Sequence, residues 1–232
     1  MHQKVQFSDL GSMEYGEAWK FQESLLLQNA DIKKKIANGN LAEDTIHHLL
    51  FCEHPPVYTL GKSGKEEHVL ISKEELAKRN IAYYETNRGG DITFHGPGQI
   101  VGYPILDLEK YYRDIGRYLR SLEEVIILSL AEYGIKGERS KGETGVWIDV
   151  DNKMKARKIC AMGVRCSRWI TMHGFALNVN TNLDYFNMIV PCGIADKQVT
   201  SIQKELGREL DIETVKKVLI DKFQAVFDCQ VV

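Results

Sequence analysis

GVWIDVDNKMKARKICAMGVRCSRWITMHGFALNVN, residues 145–180, is the stretch that decides the fold. GVWIDV (145–150) and KICAMGVR (158–165) are apolar, β-branched runs on either side of the turn-like DNKMK, which is the pattern of a β-hairpin. ITMHGFALNVN (170–180) then places Phe175, Leu177 and Val179 on one face and reads as a further strand. Hairpins this prominent favour an antiparallel or mixed sheet over a doubly wound parallel one.

Working outward, helices flank these strands. Residues 14–38 set Ala18, Phe21, Leu25, Ile32 and Ile36 on one helical face, and Gly39 follows as a stop. TIHHLLFCE (45–53) reads as a buried strand, IAYYET (81–86) as a strand, and QIVGYPILDL (99–108) as another. Ser72 and Glu75 form a capping box that opens a short helix. Asp114 caps a long helix with Ile115, Leu119, Leu122, Val125, Ile126 and Ser129 inward, closed by Gly134. Asp211 opens a last amphipathic helix through Val215, Val218, Leu219, Phe223 and Val226. The fold class expected is α+β: a mixed, largely antiparallel sheet with flanking helices. At 232 residues one core, and so one domain over 1–232, is expected.

Composition narrows the function. A net charge of −2 offers no overall basic field for nucleic acid. The KKK run at 33–35 reads as a solvated helix face. No apolar run has signal-peptide length, and VIILSLA (125–131) is too short to span a bilayer, so no membrane partner is expected. Five cysteines, an odd number without a CxxC pair, indicate free thiols in a reducing cytoplasm.

The glycine-rich loop RGGDITFHGPGQ (88–99) brings backbone close to something. It is not a phosphate loop: GKSGK (61–65) lacks the upstream glycine, where Pro56 stands instead. It is not a dinucleotide fingerprint either, because Gly96, Gly98 and Gly102 are spaced too widely and a strand follows. His54, His95 and His173 are scattered without metal-ligand spacing, so no metal and no cofactor are expected. Cys192, between Pro191 and Gly193, lies on a turn that can present a thiol, whereas Cys52, Cys160, Cys166 and Cys229 fall in strand-like or terminal segments suited to packing.

Four motifs agree in order and spacing with one family: EHPPVYTLGK (53–62), RGGDITFHGPGQIVGYPILDL (88–108), KICAMGVRCSRWITMHGFALNV (158–179) and IVPCGI (189–194). Together they resemble the lipoyl(octanoyl) transferase family. The resemblance implies the fold of biotin and lipoate protein ligases. It also implies transfer of an octanoyl group from octanoyl-acyl carrier protein to a lysine of a lipoyl domain. Such domains belong to 2-oxoacid dehydrogenase complexes and to the glycine cleavage H protein.

By the same resemblance Cys192 is the nucleophile and Lys158 its partner. Substrate binding falls to Arg88, Gly89, Gly90, Asp91, Ile92, Thr93, Phe94 and His95, to Ala161, Met162 and Gly163, and to Gly174, Phe175 and Ala176. Phe94 stands where the family commonly has tyrosine. Three other readings stay open on the residues alone. One is an ATP-dependent lipoate or biotin ligase, another a module that only binds lipoyl domains or acyl carrier protein, and the third a Cys–His pair using His95 or His173. Arg88 is as much a structural salt-bridge candidate as a substrate contact. Lys158 is also readable as a solvated strand-edge charge.

The chemistry suits a cysteine. A thiolate that attacks a thioester makes another thioester at little net cost, and attack by an amine then gives an amide, strongly downhill. A neighbouring ammonium stabilises the thiolate, and an amine withdrawn from water can carry the proton in both steps. Backbone N–H groups around the glycines are the expected oxyanion donors.

Overall fold

The computed structural model describes residues 3–39, 43–190 and 198–232, so Cys192 and its neighbours Pro191 and Gly193 lie outside the described residues. The elements run in the order β1 (Gln3–Ser12), α1 (Tyr15–Ala37), β2 (His47–Glu53), β3 (Val57–Leu60), α2 (Lys73–Lys78), β4 (Ala82–Glu85), β5 (Ile92–His95), β6 (Gln99–Ile105) and α3 (Ile115–Ala131). They continue with β7 (Val146–Ile148), β8 (Arg157–Ser167), β9 (Ile170–Asn178), β10 (Gln198–Val199), α4 (Ile202–Leu206), α5 (Ile212–Phe227) and β11 (Cys229–Val231).

The hairpins expected from residues 145–180 are present. β7 pairs antiparallel with β8, and β8 antiparallel with β9 from Cys160↔Leu177 to Ser167↔Ile170. β9 continues antiparallel onto β6, and β6 onto β2. The large sheet follows the order β10-β8-β9-β6-β2-β1-β11, with β7 beside β8. Its outer pairs β1–β2, β1–β11 and β10–β8 are parallel, which makes the sheet mixed. A second, three-stranded sheet has the order β4-β3-β5.

β9 is buried on both faces, and its two-residue period divides the core. Phe175, Leu177 and Val179 pack with Leu122, Val125 and Ile126 of α3 and Leu219 and Phe223 of α5. Met172 and Ala176 pack on the opposite face with Ala18, Leu25 and Leu26 of α1. α3 and α5 begin as expected: Asp114 accepts from the Arg117 N–H and Asp211 from the Thr214 N–H. The Ser72 hydroxyl likewise accepts from the Glu75 N–H at the start of α2.

The differences from the sequence reading have local causes. Inside the glycine loop, Ile92–His95 forms β5, because β-branched and aromatic residues there pair with the free edge of β3. β6 ends at Ile105 rather than 108, and the Asp107 carboxylate caps a 3-10 turn over Leu108–Lys110. On α1, Phe21 is exposed; the buried face carries Gln22 and Asn29, whose amides bind the His173 N–H and the Ile46 backbone. On α3, Ile115 is exposed at the first turn and Tyr118 takes the inward place. Lys33 does not belong to a solvated face. It is mostly buried, with ion pairs of 2.8 Å to Asp107 and 2.9 Å to Glu109. Among the described residues no helix is long and apolar enough to cross a membrane.

Candidate acyl-transfer site

The site is built where the two sheets meet. A cavity of about 340 Å³ is lined by residues of β5, β6, β8 and β9, with Tyr15 of α1 closing one side. That size is at the lower end of small-molecule sites. Apolar contacts come from Val101, Ala161, Met162, Phe175, Ala176 and Phe186. Of the residues expected from sequence, Arg88, residues 90–93, His95, Lys158, residues 161–163 and residues 174–176 line it together. Gly89 does not line it. Its N–H instead donates to the Val164 carbonyl at 2.9 Å and stitches the glycine loop to β8. Phe94 does not line it either; its ring stacks on Tyr185 at 4.5 Å and packs edge-on against Phe186.

Glycine is used where backbones come close. A Cβ on Gly163 would stand 2.5 Å from the Gly89 carbonyl oxygen, so the loop can lie on β8 only because that position is bare. Gly90 has φ +90°, a conformation that favours glycine.

Arg88 is 7% exposed, and its guanidinium holds the loop together. It donates to the Thr59 carbonyl at 2.5 Å, the Thr59 hydroxyl at 2.9 Å, and the Asp91 and Gly89 carbonyls at 2.9 and 3.0 Å. From there a buried relay crosses the cavity floor. Thr59 Oγ1 lies 3.3 Å from His95 Nε2, and His95 Nδ1 donates to Gln99 Oε1 at 2.8 Å. Gln99 Nε2 donates to Asn178 Oδ1 at 2.8 Å, and Asn178 Nδ2 to the Thr200 carbonyl at 3.0 Å. Both nitrogens of His95 are therefore engaged with neutral partners.

Lys158 sits on β8, half-buried, with Nζ 4.7 Å from the centre of the Trp147 ring. The loop that faces it contributes Gly142, Glu143 and Thr144 to the cavity wall. That loop is pinned by buried Glu123, which accepts the Gly145 N–H at 3.0 Å. Gly145 has φ +112°, and a Cβ there would stand 2.5 Å from the Cys160 carbonyl oxygen.

The described residues on either side of positions 191–197 are held in place. Before them, the Val190 N–H donates to the His68 carbonyl at 2.8 Å, and the His68 ring binds Asp91 of the glycine loop at 2.8 Å. After them, Val199 pairs with Lys158 and lines the cavity, and the Thr200 N–H donates to the Lys158 carbonyl at 2.9 Å. Burial raises the thiols of the other four cysteines: Cys52 and Cys229 up to about 12, Cys160 further, and Cys166 above the usual thiol range.

Sequence reading did not single out Tyr15, Gln99, Asn178 or the 142–144 loop, all of which line the cavity. Gln99 and Asn178 lie within quoted motifs, so that signal was present; Tyr15, at the start of a helix, carries none.

The buried histidines give a stability prediction. Burial holds His47 and His54 down at about 4, His173 at about 3, and His95 well below the usual range. Each is neutral in the folded state, while an unfolded chain takes up protons below pH ~6.5. Folding stability is therefore intact above about pH 6.5 and declines as pH falls towards 4, by up to ~1.4 kcal/mol per pH unit per histidine. Denaturant unfolding at pH 7.5 and 5 is expected to show a marked drop in midpoint at the lower pH. An unchanged midpoint would contradict the neutral assignment.

Residues 14–224 match the lipoyl protein ligase A/B catalytic domain. The chain is 54% identical to an octanoyltransferase of Christiangramia forsetii, covering 99% of this chain and 98% of that one. It is also 54% identical to an octanoyltransferase of Flavobacterium johnsoniae over the full length of both. Among solved structures, a bi-partite lipoate protein ligase from Thermoplasma acidophilum has TM-score 0.69 at 18% identity, over 100% of this chain and 86% of that one. A lipoate-protein ligase A bound with ATP has TM-score 0.69 at 16% identity, over 100% and 88%. At such identities the structures establish the fold alone, and the close relatives establish the rest: the chain belongs to the octanoyltransferase branch of the lipoyl protein ligase A/B catalytic-domain family and is an acyltransferase.

Proposed function

We propose that the chain moves an octanoyl group from octanoyl-acyl carrier protein to a lysine of lipoyl domains, by way of a thioester on Cys192, in the cytoplasm and as one catalytic domain. The observation that carries this reading is the register Val199↔Lys158. It ties the chain that leaves the Cys192 segment to the lysine on the wall of an apolar cavity. Val199 lies seven positions beyond Cys192, a reach of at most about 25 Å.

In the first step Lys158 Nζ takes the Cys192 proton, and the thiolate attacks the donor's thioester carbonyl. The C–S bond to the carrier breaks, and the carrier leaves as a thiol carrying the proton from Lys158. In the second step the acceptor lysine attacks the new thioester, its proton passes to Lys158, and the Cys192 sulfur leaves as thiolate. The acyl chain lies along Ala161, Met162 and Ala176, with water excluded.

This reading needs no ATP. Purified protein, octanoyl-acyl carrier protein and a lipoyl domain, without nucleotide, are expected to give the octanoylated domain. Modification that requires free octanoate and ATP would instead make the chain a ligase. Binding of either protein without transfer would make it a recognition module.

A further inference from the structure

Arg157 precedes Lys158 on β8 and carries an ion-pair cluster that the transfer steps do not use. Its guanidinium donates to both carboxylate oxygens of Glu205 on α4, from Nε to Oε1 at 2.7 Å and from Nη2 to Oε2 at 2.5 Å. Its Nη1 donates to Asp149 Oδ2 at 2.5 Å. The Arg157 and Glu205 side chains are 20% and 14% exposed, so the pair is largely withdrawn from water. The bonds from Arg157 hold the Glu205 carboxyl below the usual carboxylate range. Paired bonds of this kind fix direction as well as distance.

Glu205 also reaches the chain that returns to Lys158. Its Oε1 accepts from Thr200 Oγ1 at 2.5 Å. Thr200 is fully buried, and its backbone joins two parts of the site. Its N–H donates to the Lys158 carbonyl at 2.9 Å, and its carbonyl accepts from Asn178 Nδ2 at 3.0 Å, where the relay from Arg88 ends. The strand just before it, β10, has two residues and meets β8 only at Gln198↔Arg157 and Val199↔Lys158. So short a ladder makes few hydrogen bonds of its own. The Arg157–Glu205–Thr200 link braces it from the side, starting beside Lys158 and ending beside Val199. Neither Arg157 nor Glu205 lines the acyl cavity, so neither is a catalytic residue.

We infer that Arg157 and Glu205 are positioning residues of acyl transfer: through Thr200 they hold the chain that returns from the Cys192 segment in register with Lys158. The inference rests on reading Cys192 and Lys158 as the reacting pair, and it assigns a role to an ion pair outside their cavity.

The test is a double-mutant cycle of Arg157→Gln and Glu205→Gln, read as kcat and KM for transfer from octanoyl-acyl carrier protein. Each single variant is expected to lower kcat about tenfold or more, since a misplacement of about 1 Å can cost ~10²-fold, with KM within about twofold. The double variant is expected to lie within about threefold of the slower single one, because the two residues act as one link. A kcat within twofold of wild type, whatever the melting temperature, makes the pair a structural contact and overturns the inference. So do a change confined to KM and single losses that multiply in the double variant. Thr200→Val is near-isosteric and removes only the hydroxyl link, which serves if the ion-pair variants fold poorly. Its kcat is expected to fall at least about threefold, and an unchanged kcat overturns the route through Thr200. Amide hydrogen exchange at Thr200 reads the brace without any reaction. It is expected to be at least about tenfold faster in Glu205→Gln, and an unchanged rate overturns the brace. Wild-type protein that transfers no octanoyl group refutes the proposed reaction and this inference with it, whereas normal transfer by both wild type and variants refutes the inference alone.

Discussion

Lys158→Ala is expected to lower octanoyl transfer by about 10²–10⁴-fold, the range of a lost general base, with the loss in kcat and in the rate of acyl-enzyme formation. Lys158→Arg should not restore it, because a guanidinium keeps its proton through the working pH range. The geometry behind this expectation is specific. Nζ is held over the Trp147 ring, and the chain returning from the Cys192 segment is hydrogen-bonded to the Lys158 backbone itself. His95 is not placed to substitute, since Gln99 and Thr59 occupy its two nitrogens. Normal acyl-enzyme formation in Lys158→Ala, together with its loss in His95→Ala, would instead favour a Cys–His pair.

Gly174→Ala is expected to destabilise the protein by about 3 kcal/mol or more, lowering the melting temperature by roughly 6–12 °C for a chain of this size. A Cβ at Gly174 would fall on the Gly102 carbonyl oxygen and stand 2.8 Å from Pro104 Cδ, both in β6. Gly102 is itself crowded, since a Cβ there would run into the Phe175 ring. The β6–β9 pair is thus packed backbone to backbone at the centre of the large sheet, beside the cavity wall. A change below about 1 kcal/mol in denaturant unfolding would contradict that packing.

Much of this architecture was legible in the sequence because it rests on local rules. Asp114, Asp211 and Ser72 cap their helices through their own side chains, and the 145–165 hairpin follows from β-branched runs about a polar turn. The orientation of α1 was not legible. Gln22 and Asn29 are buried there because distant backbone groups, the His173 N–H and the Ile46 peptide, meet their amides, and apolar periodicity cannot register that. β5 was hidden because glycines on both sides masked four residues with strong strand preference.

The site divides along the same line. Motif agreement brought the glycine loop, residues 161–163 and residues 174–176 to one cavity, as strand register then allows. Phe94 left that set because its ring is taken up by Tyr58, Tyr185 and Phe186 in the core of the small sheet, a tertiary packing that the motif alone does not reveal. The relay through Gln99 and Asn178 is a tertiary product, assembled from four separate segments.

The central claim is a covalent octanoyl intermediate on Cys192, and intact-protein mass spectrometry tests it most directly. After incubation with octanoyl-acyl carrier protein and no acceptor, the chain is predicted to gain the mass of one octanoyl group, and Cys192→Ser to gain none. No gain in the wild type, or a gain that survives Cys192→Ser, would contradict the account.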